Sequence, residues 1–194
     1  MTGGSARSAA RRLFFALWPE AAERAALATA AAAVVGTCAG RAVPEEQLHL
    51  TLAFLGAVPA TRSAELEALT REVGAAWPLA MPTPQLRFAR LAYWRKARVL
   101  IALADADAAL ASVAQVLREG SLAAGFSPDL KPFHAHVTVA RKVVRAVRSA
   151  PLTPVLWNCR RIALIESVGT PEGPLYSVVE SAPLGKGEKV RQER

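Results

Sequence analysis

Two spacings of apolar side chains divide the chain into strands and helices. Short segments rich in Leu, Val, Ile and Phe, bounded by Gly or Pro, indicate strands that are half-buried or fully buried. Longer segments with apolar residues three and four positions apart indicate helices packed on one face. The predicted strands cover residues 11–17, 48–55, 83–94, 97–104, 133–140, 160–168 and 175–179. The predicted helices cover residues 19–35, 61–76 and 105–125, the last capped by Asp105.

The order of these elements predicts the fold class. Strand, helix, strand, helix, two strands, helix and then several strands favours an α+β fold with antiparallel sheets over a doubly wound parallel sheet. A helix, a loop and a strand containing His-x-Thr occur in each half, which hints at internal duplication. We predict a single domain over residues 11–182, a disordered basic tail at 1–10 and a charged tail at 183–194.

Composition and apolar run lengths indicate a globular protein. Hydrophobic residues make up 52% of the chain and charged residues 21%, and no apolar run reaches the roughly 20 residues that span a bilayer. The apolar stretch at residues 13–18 is broken by Pro19 and Glu20, so it is shorter than a secretory signal core. Cys38 and Cys159 match no metal or redox spacing. We therefore expect a cytoplasmic protein with reduced thiols and no membrane partner.

The charge balance favours anionic partners. Lys and Arg number 24 against 16 acidic residues, which gives a formal charge of +8. Such an excess attracts polyanions and phosphate-bearing substrates, although part of it lies in the two tails.

Two of the three histidines stand in the same local pattern. "HLTLAFLG" places Thr51 two positions after His49, and "FHAHVTVARK" places Thr138 two positions after His136. Because alternate residues of a strand share a face, each strand would present an imidazole and a hydroxyl side by side. The Leu and Val residues between them would anchor the opposite face in a core.

Acid–base catalysis is the chemistry that such a pair can perform. With a reference pKa of about 6.5, one imidazole can accept a proton from water while the other, protonated, donates to a leaving oxygen. Each role typically contributes roughly 10²–10⁴ in rate. The threonine hydroxyls can donate to phosphate oxygens. This scheme requires no metal or other cofactor.

Other hypotheses remain open from the residues alone. The positive charge would also suit a non-catalytic RNA-binding module with structural histidines, although no RNA-recognition motif is visible. His134 would share a face with His136, a known zinc geometry, so a metal-dependent phosphohydrolase is a further alternative without an apparent third ligand. Arg141 is a candidate phosphate ligand. Strict alternation places Arg141 on the back face, so it reaches the cleft only if the strand ends or bulges first.

The motifs "HLTLAFLG" and "FHAHVTVAR", with the strand "RLFFALWP", resemble the two-histidine (2H) phosphoesterase superfamily. The resemblance covers residues 11–180 and is strongest to the RNA 2′,3′-cyclic phosphodiesterases, historically called 2′-5′ RNA ligases. It implies two pseudo-symmetric α+β lobes of antiparallel sheet with helices packed outside. Each lobe would contribute one His-x-Thr strand to a central cleft. Ala135 stands where many relatives have proline, which should loosen the strand entry slightly.

The resemblance also implies an activity and residue roles. The expected reaction opens a 2′,3′-cyclic phosphate of RNA or a nucleotide to the 2′-phosphomonoester without metal, and the same site could run reversibly as a 2′-5′ RNA ligase if two RNA ends were held together. By the family's usual assignment, His49 is the proton donor and His136 the proton acceptor. Thr51 and Thr138, together with Arg141, would bind the phosphate. We expect the protein to act as a monomer on RNA ends or nucleotides bearing the cyclic phosphate.

Overall fold

The structure, a computed structural model, describes residues 10–77, 83–105, 107–171 and 173–184. The tails predicted at 1–10 and 183–194 therefore lie almost entirely outside the described residues. The helices are α1 (Ala21–Thr37), α2 (Ser63–Ala76) and α3 (Ala108–Ala123). The strands are β1 (Ala10–Leu17), β2 (Arg41–Ala42), β3 (Leu50–Pro59), β4 (Gln85–Trp94), β5 (Val99–Ala104), β6 (His136–Arg141), β7 (Ala150–Asn158), β8 (Arg161–Thr170) and β9 (Gly173–Pro183).

The strands form one antiparallel sheet that consists of two matching halves. The strand order is β7-β4-β5-β6-β3-β1-β8-β9, with β2 added beside β6. Each half contains four strands, and the halves meet where β3 lies next to β6. That junction rests on a single registered pair, Leu50 with Val137. The architecture confirms the predicted α+β fold with two pseudo-symmetric lobes.

The helices cover the sheet and bury its apolar face. Helix α1 packs against β7, and α2 packs against β8 and β9. Leu50 and Val137, at the junction, are fully buried in the core. Helix α2 approaches β9 closely at Gly74, where a Cβ atom would lie 2.5 Å from the Cβ of Ala182. None of the helices in the described part of the chain is long and apolar enough to cross a membrane.

The bounds of several elements differ from the sequence prediction. The side chain of Asp107, not Asp105, caps α3 by accepting a hydrogen bond of 2.7 Å from the amide of Leu110. Strand β3 continues through Gly56, which takes a positive φ of 73°, where β1 pairs irregularly with it. Strand β7 was not predicted. Its two prolines are tolerated because β7 lies at the sheet edge, where unpaired amide positions are available.

Candidate active site

The junction between β3 and β6 brings the two predicted motifs together. Because Leu50 pairs with Val137 in antiparallel register, one step further along places Thr51 opposite His136 and His49 opposite Thr138. The two motifs are thus related by an approximate twofold axis through the junction. All four polar side chains line the same cavity, of about 570 Å³. This cavity, called the central cleft below, lies on the face opposite the buried Leu and Val side chains.

Both imidazoles are held by backbone carbonyls two residues before them. The Nδ1 atom of His49 lies 2.7 Å from the carbonyl oxygen of Gln47. The Nδ1 atom of His136 lies 2.7 Å from the carbonyl oxygen of His134. Since a carbonyl can only accept, each neutral ring carries its proton on Nδ1. The Nε2 atom of each ring remains available to accept a proton from a reactant, or to donate one after protonation.

Aromatic rings surround His49. Trp18 stacks on it with ring centres 5.9 Å apart, Phe14 lies at 5.0 Å, and Tyr176 makes an edge contact at 4.8 Å. The pKa of His49 is lowered to about 4, chiefly by burial; the hydrogen bond to Gln47 opposes this shift, and the positive charge of Arg141 adds to it. The apolar surroundings thus favour a neutral imidazole in the free site.

His136 occupies a less enclosed position. Trp94 lies against it with ring centres 4.4 Å apart. Burial is again the main cause that lowers its pKa, while the carbonyl of His134 opposes the shift and nearby positive charge adds to it. The surroundings of both histidines thus favour the neutral imidazole before an anion binds.

A bulge directs Arg141 into the central cleft. Consecutive residues Leu100 and Ile101 of β5 pair with Ala140 and Thr138, which leaves Val139 without a partner there. The extra residue shifts the alternation of side chains along β6 by one position. The side chain of Arg141, which follows the bulge, therefore lies on the cleft side of the strand. Its guanidinium lines the cleft and donates a hydrogen bond of 3.1 Å to the hydroxyl of Tyr176. The condition set by the alternation pattern, a bulge before Arg141, is met.

Other residues of the site escaped the sequence analysis. Arg12, Lys142 and Tyr176 line the central cleft, while Trp18 and Trp94 each contact one histidine. None belongs to a recurring motif, and four of the five lie far from both His-x-Thr segments in sequence. Lys142 directly follows the second motif, and Arg12 and Trp18 lie within the segment "RLFFALWP", whereas Trp94 and Tyr176 offered no signal.

The donor set for a metal is poor. In the described ranges, no group of three or more His, Cys, Asp or Glu residues could hold a metal ion. His134 is exposed, and it contributes its backbone carbonyl to the anchoring of His136. A zinc site on these two histidines thus gains no third ligand from the described part of the chain.

Two adjacent strands that each present a histidine and a threonine to one cleft define a two-histidine phosphoesterase site. The family model of the 2′-5′ RNA ligase superfamily matches residues 17–171. The RNA 2′,3′-cyclic phosphodiesterase of Thermus thermophilus is 34% identical over 196 residues, covering 94% of this chain and 94% of the relative.

Solved structures give the same result. TT0787 of Thermus thermophilus is 32% identical with a TM-score of 0.74, covering 91% of this chain and 100% of that one. Escherichia coli LigT complexed with 3′-AMP is 26% identical with a TM-score of 0.73, covering 92% of this chain and 100% of that one. The chain therefore belongs to the 2′-5′ RNA ligase superfamily and is an enzyme of the two-histidine phosphoesterase class.

Proposed function

We propose that the protein hydrolyses 2′,3′-cyclic phosphates at RNA ends or on nucleotides to 2′-phosphomonoesters by two-histidine acid–base catalysis. The observation that carries the proposal is the paired geometry of His49 and His136. Both flank one cleft, and both keep Nε2 free through the same carbonyl anchor. Relatives named RNA 2′,3′-cyclic phosphodiesterase supply the substrate class.

The proposed reaction displaces the 3′-oxygen from phosphorus. The Nε2 of His136 accepts a proton from water as the water oxygen attacks phosphorus. Protonated His49 donates its Nε2 proton to the leaving 3′-oxygen, and the phosphate remains on the 2′-oxygen. After the reaction His136 is protonated and His49 is neutral. Proton exchange with solvent then restores the starting protonation states for the next turnover. If a ribose 5′-hydroxyl takes the place of water as the nucleophile, the same displacement releases the 3′-oxygen and forms a 2′-5′ linkage, and the reverse of that reaction cleaves the linkage.

Substrate binding favours the protonation of His49 by solvent. A cyclic phosphate diester carries one negative charge, which favours an imidazolium beside it and raises the low pKa of His49. The hydroxyls of Thr51 and Thr138 and the guanidinium of Arg141 can donate to the non-bridging oxygens. These donors stabilise the charge that builds up on phosphorus-bound oxygens in the transition state.

We also propose the wider setting of this activity. Residues 11–182 form the catalytic domain, and the tails at 1–10 and 183–194 add charge. Cys38 and Cys159 are both buried and unpaired among the described residues, which suits a reducing, cytoplasmic compartment. We propose that the protein acts there as a monomer.

The test is hydrolysis of an RNA oligonucleotide ending in a 2′,3′-cyclic phosphate, with a metal chelator present. His49→Ala and His136→Ala should each lower kcat/KM by about 10² or more. His134→Ala is the matched control, because it removes an imidazole but keeps the carbonyl that anchors His136. Full activity of either of the first two variants would refute the mechanism.

The same experiment separates the alternatives. Activity that is lost with chelator, restored by zinc and abolished in His134→Ala would indicate a metal-dependent phosphohydrolase. Tight RNA binding without turnover by the wild-type protein would indicate a binding module.

A further inference from the structure

Three cavities follow one another along the junction of β3 and β6. The central cleft shares Thr51, Phe54 and His136 with a cavity of about 390 Å³ at one end, which Trp94 and Lys131 also line. At the other end it shares Arg141, Lys142 and Tyr176 with a cavity of about 480 Å³, called the basic pocket below. Each cavity alone has the volume of a small-ligand site, so the three together can hold more than one nucleotide.

The basic pocket concentrates positive charge. It is lined by Arg41, Arg141 and Lys142, and the Cα atoms of the two arginines are registered partners in β2 and β6. The Nη1 atom of Arg41 would lie 3.8 Å from a Cβ on Gly173, so this side chain reaches across to the turn between β8 and β9. Among the described residues, no carboxylate lines the central cleft or the basic pocket.

Within the described part of the chain, these cations also lack carboxylate partners. Within the described ranges, the five ion pairs involve none of the three side chains. Three positive charges on a cavity whose described lining holds no counter-charge attract a second anion beside the reacting phosphate.

The chemistry of the substrate indicates which anion this is. A 2′,3′-cyclic phosphate closes the last ribose of an RNA, so the rest of the chain leaves through C4′ and C5′ of that ribose. In the proposed function the 3′-oxygen faces His49, and C3′ carries C4′ directly. His49 lies on the side of the junction nearer to Gln47, which lines the basic pocket, whereas His136 lies nearer to Trp94. The 5′ side of the terminal nucleotide therefore points toward the basic pocket.

We propose that the basic pocket binds the phosphodiester immediately 5′ of the terminal nucleotide, with Arg41 as its specific ligand. This inference rests on the proposed function and assigns the substrate class: the site is built for RNA chains of at least two nucleotides. Arg141 serves both phosphates, because it lines both cavities. Arg41 lines only the basic pocket, so its removal isolates the contribution of the second phosphate.

The test compares two substrates with the same reacting end. One is adenosine 2′,3′-cyclic phosphate, and the other is the dinucleotide that carries one further adenosine on its 5′ side. The wild-type protein should give a kcat/KM at least about ten-fold higher for the dinucleotide. Arg41→Gln should lower the ratio of the two kcat/KM values by about ten-fold. It should also reduce the slope of log affinity against log salt concentration for the dinucleotide by the amount expected for about one phosphate contact.

Lys131→Gln is the matched control at the opposite end of the cleft. Lys131 is also a cation on a cavity wall, 83% exposed and paired with Asp129 at 2.8 Å. Its loss should leave the substrate ratio within about two-fold of wild type. A ratio that falls for Lys131→Gln and not for Arg41→Gln would show that the RNA leaves by the other end. A wild-type ratio near one would equally overturn the inference, while the proposed function would stand as long as the mononucleotide is hydrolysed.

Discussion

Removal of the Trp18 ring should raise the pKa of His49 and reveal which histidine is the acid. Trp18 stacks on His49 at 5.9 Å with the ring planes 15° apart, and the guanidinium of Arg24 lies 5.7 Å from the Trp18 ring centre. Trp18 is absent from the described lining of the central cleft. Trp18→Ala therefore admits water to the imidazole without removing a direct substrate contact.

The magnitude follows from the burial of His49. A pKa of about 4 in place of 6.5 corresponds to roughly 3 kcal/mol against the charged form. At pH 7 about one molecule in a thousand carries a protonated His49, compared with about one in four for an unperturbed imidazole. Trp18 is one of three rings around His49, so we expect Trp18→Ala to raise the pKa by about one unit.

Two measurements follow this change. Nuclear magnetic resonance titration of the imidazole protons reports each pKa directly, and three histidines give a simple spectrum. The pH profile of kcat/KM reports the same groups in the free enzyme. If His49 is the acid, kcat/KM on the alkaline side should rise by up to about ten-fold, reduced by the weaker acidity of the new imidazolium. If His136 is the acid, the alkaline side should stay unchanged while the acid limb moves to higher pH.

A symmetric variant provides the control. Trp94→Ala exposes His136 in the same way, so it should raise the pKa of His136 and leave that of His49 in place. A wild-type His49 that titrates near 6.5 would refute the burial argument altogether. A Trp18→Ala protein whose His49 still titrates near 4 would show that the other rings exclude water on their own.

Two further predictions concern Arg141 in the central cleft and the contact of α2 with β9. Arg141→Gln should lower kcat/KM by about 10–100-fold. It should also raise the pKa of His49 and of His136, because the positive charge of Arg141 lowers both pKa values. Unchanged titration curves would contradict the proximity of the Arg141 charge to the two rings. Gly74→Ala should lower the free energy of unfolding by about 1–3 kcal/mol, since its Cβ would lie 2.5 Å from Ala182 and 2.8 Å from the carbonyl of Pro183. The control is Gly36→Ala, because a Cβ at this helical site would meet no atom within 4 Å. This variant should be neutral or stabilised by up to about 1 kcal/mol. Equal urea midpoints for the two variants would mean that β9 moves aside.

Local geometry made the two motifs predictable. The side-chain period of a strand is two residues whatever surrounds it, so the shared face of His49 and Thr51 follows from spacing alone. The same argument holds for His136 and Thr138. Sequence did not provide the pairing of Leu50 with Val137, which depends on the approach of segments far apart in the chain. The resemblance to a family supplied only the expectation that both His-x-Thr strands border one central cleft.

Long-range contacts explain what the sequence analysis missed. The bulge that turns Arg141 into the cleft accompanies a hydrogen bond of 2.9 Å from the amide of Val43 to the carbonyl of Val139. No spacing within β6 encodes that contact. Tyr176 reaches the cleft from the last strand, and β7 tolerates its prolines only because it lies at the edge of the sheet. Each of these features depends on a neighbour that the local pattern does not contain.

The near-symmetry of the two motifs leaves their surroundings to set the direction of proton transfer. Both imidazoles have the same carbonyl anchor, so their tautomers cannot distinguish acid from base. His49 is more enclosed than His136, and the charge of Arg141 opposes protonation of both rings. A phosphate anion placed between them offsets that charge and makes the protonated state accessible. In the proposed mechanism the acid therefore forms together with the enzyme–substrate complex, and the pH profile of kcat should extend to higher pH than that of kcat/KM.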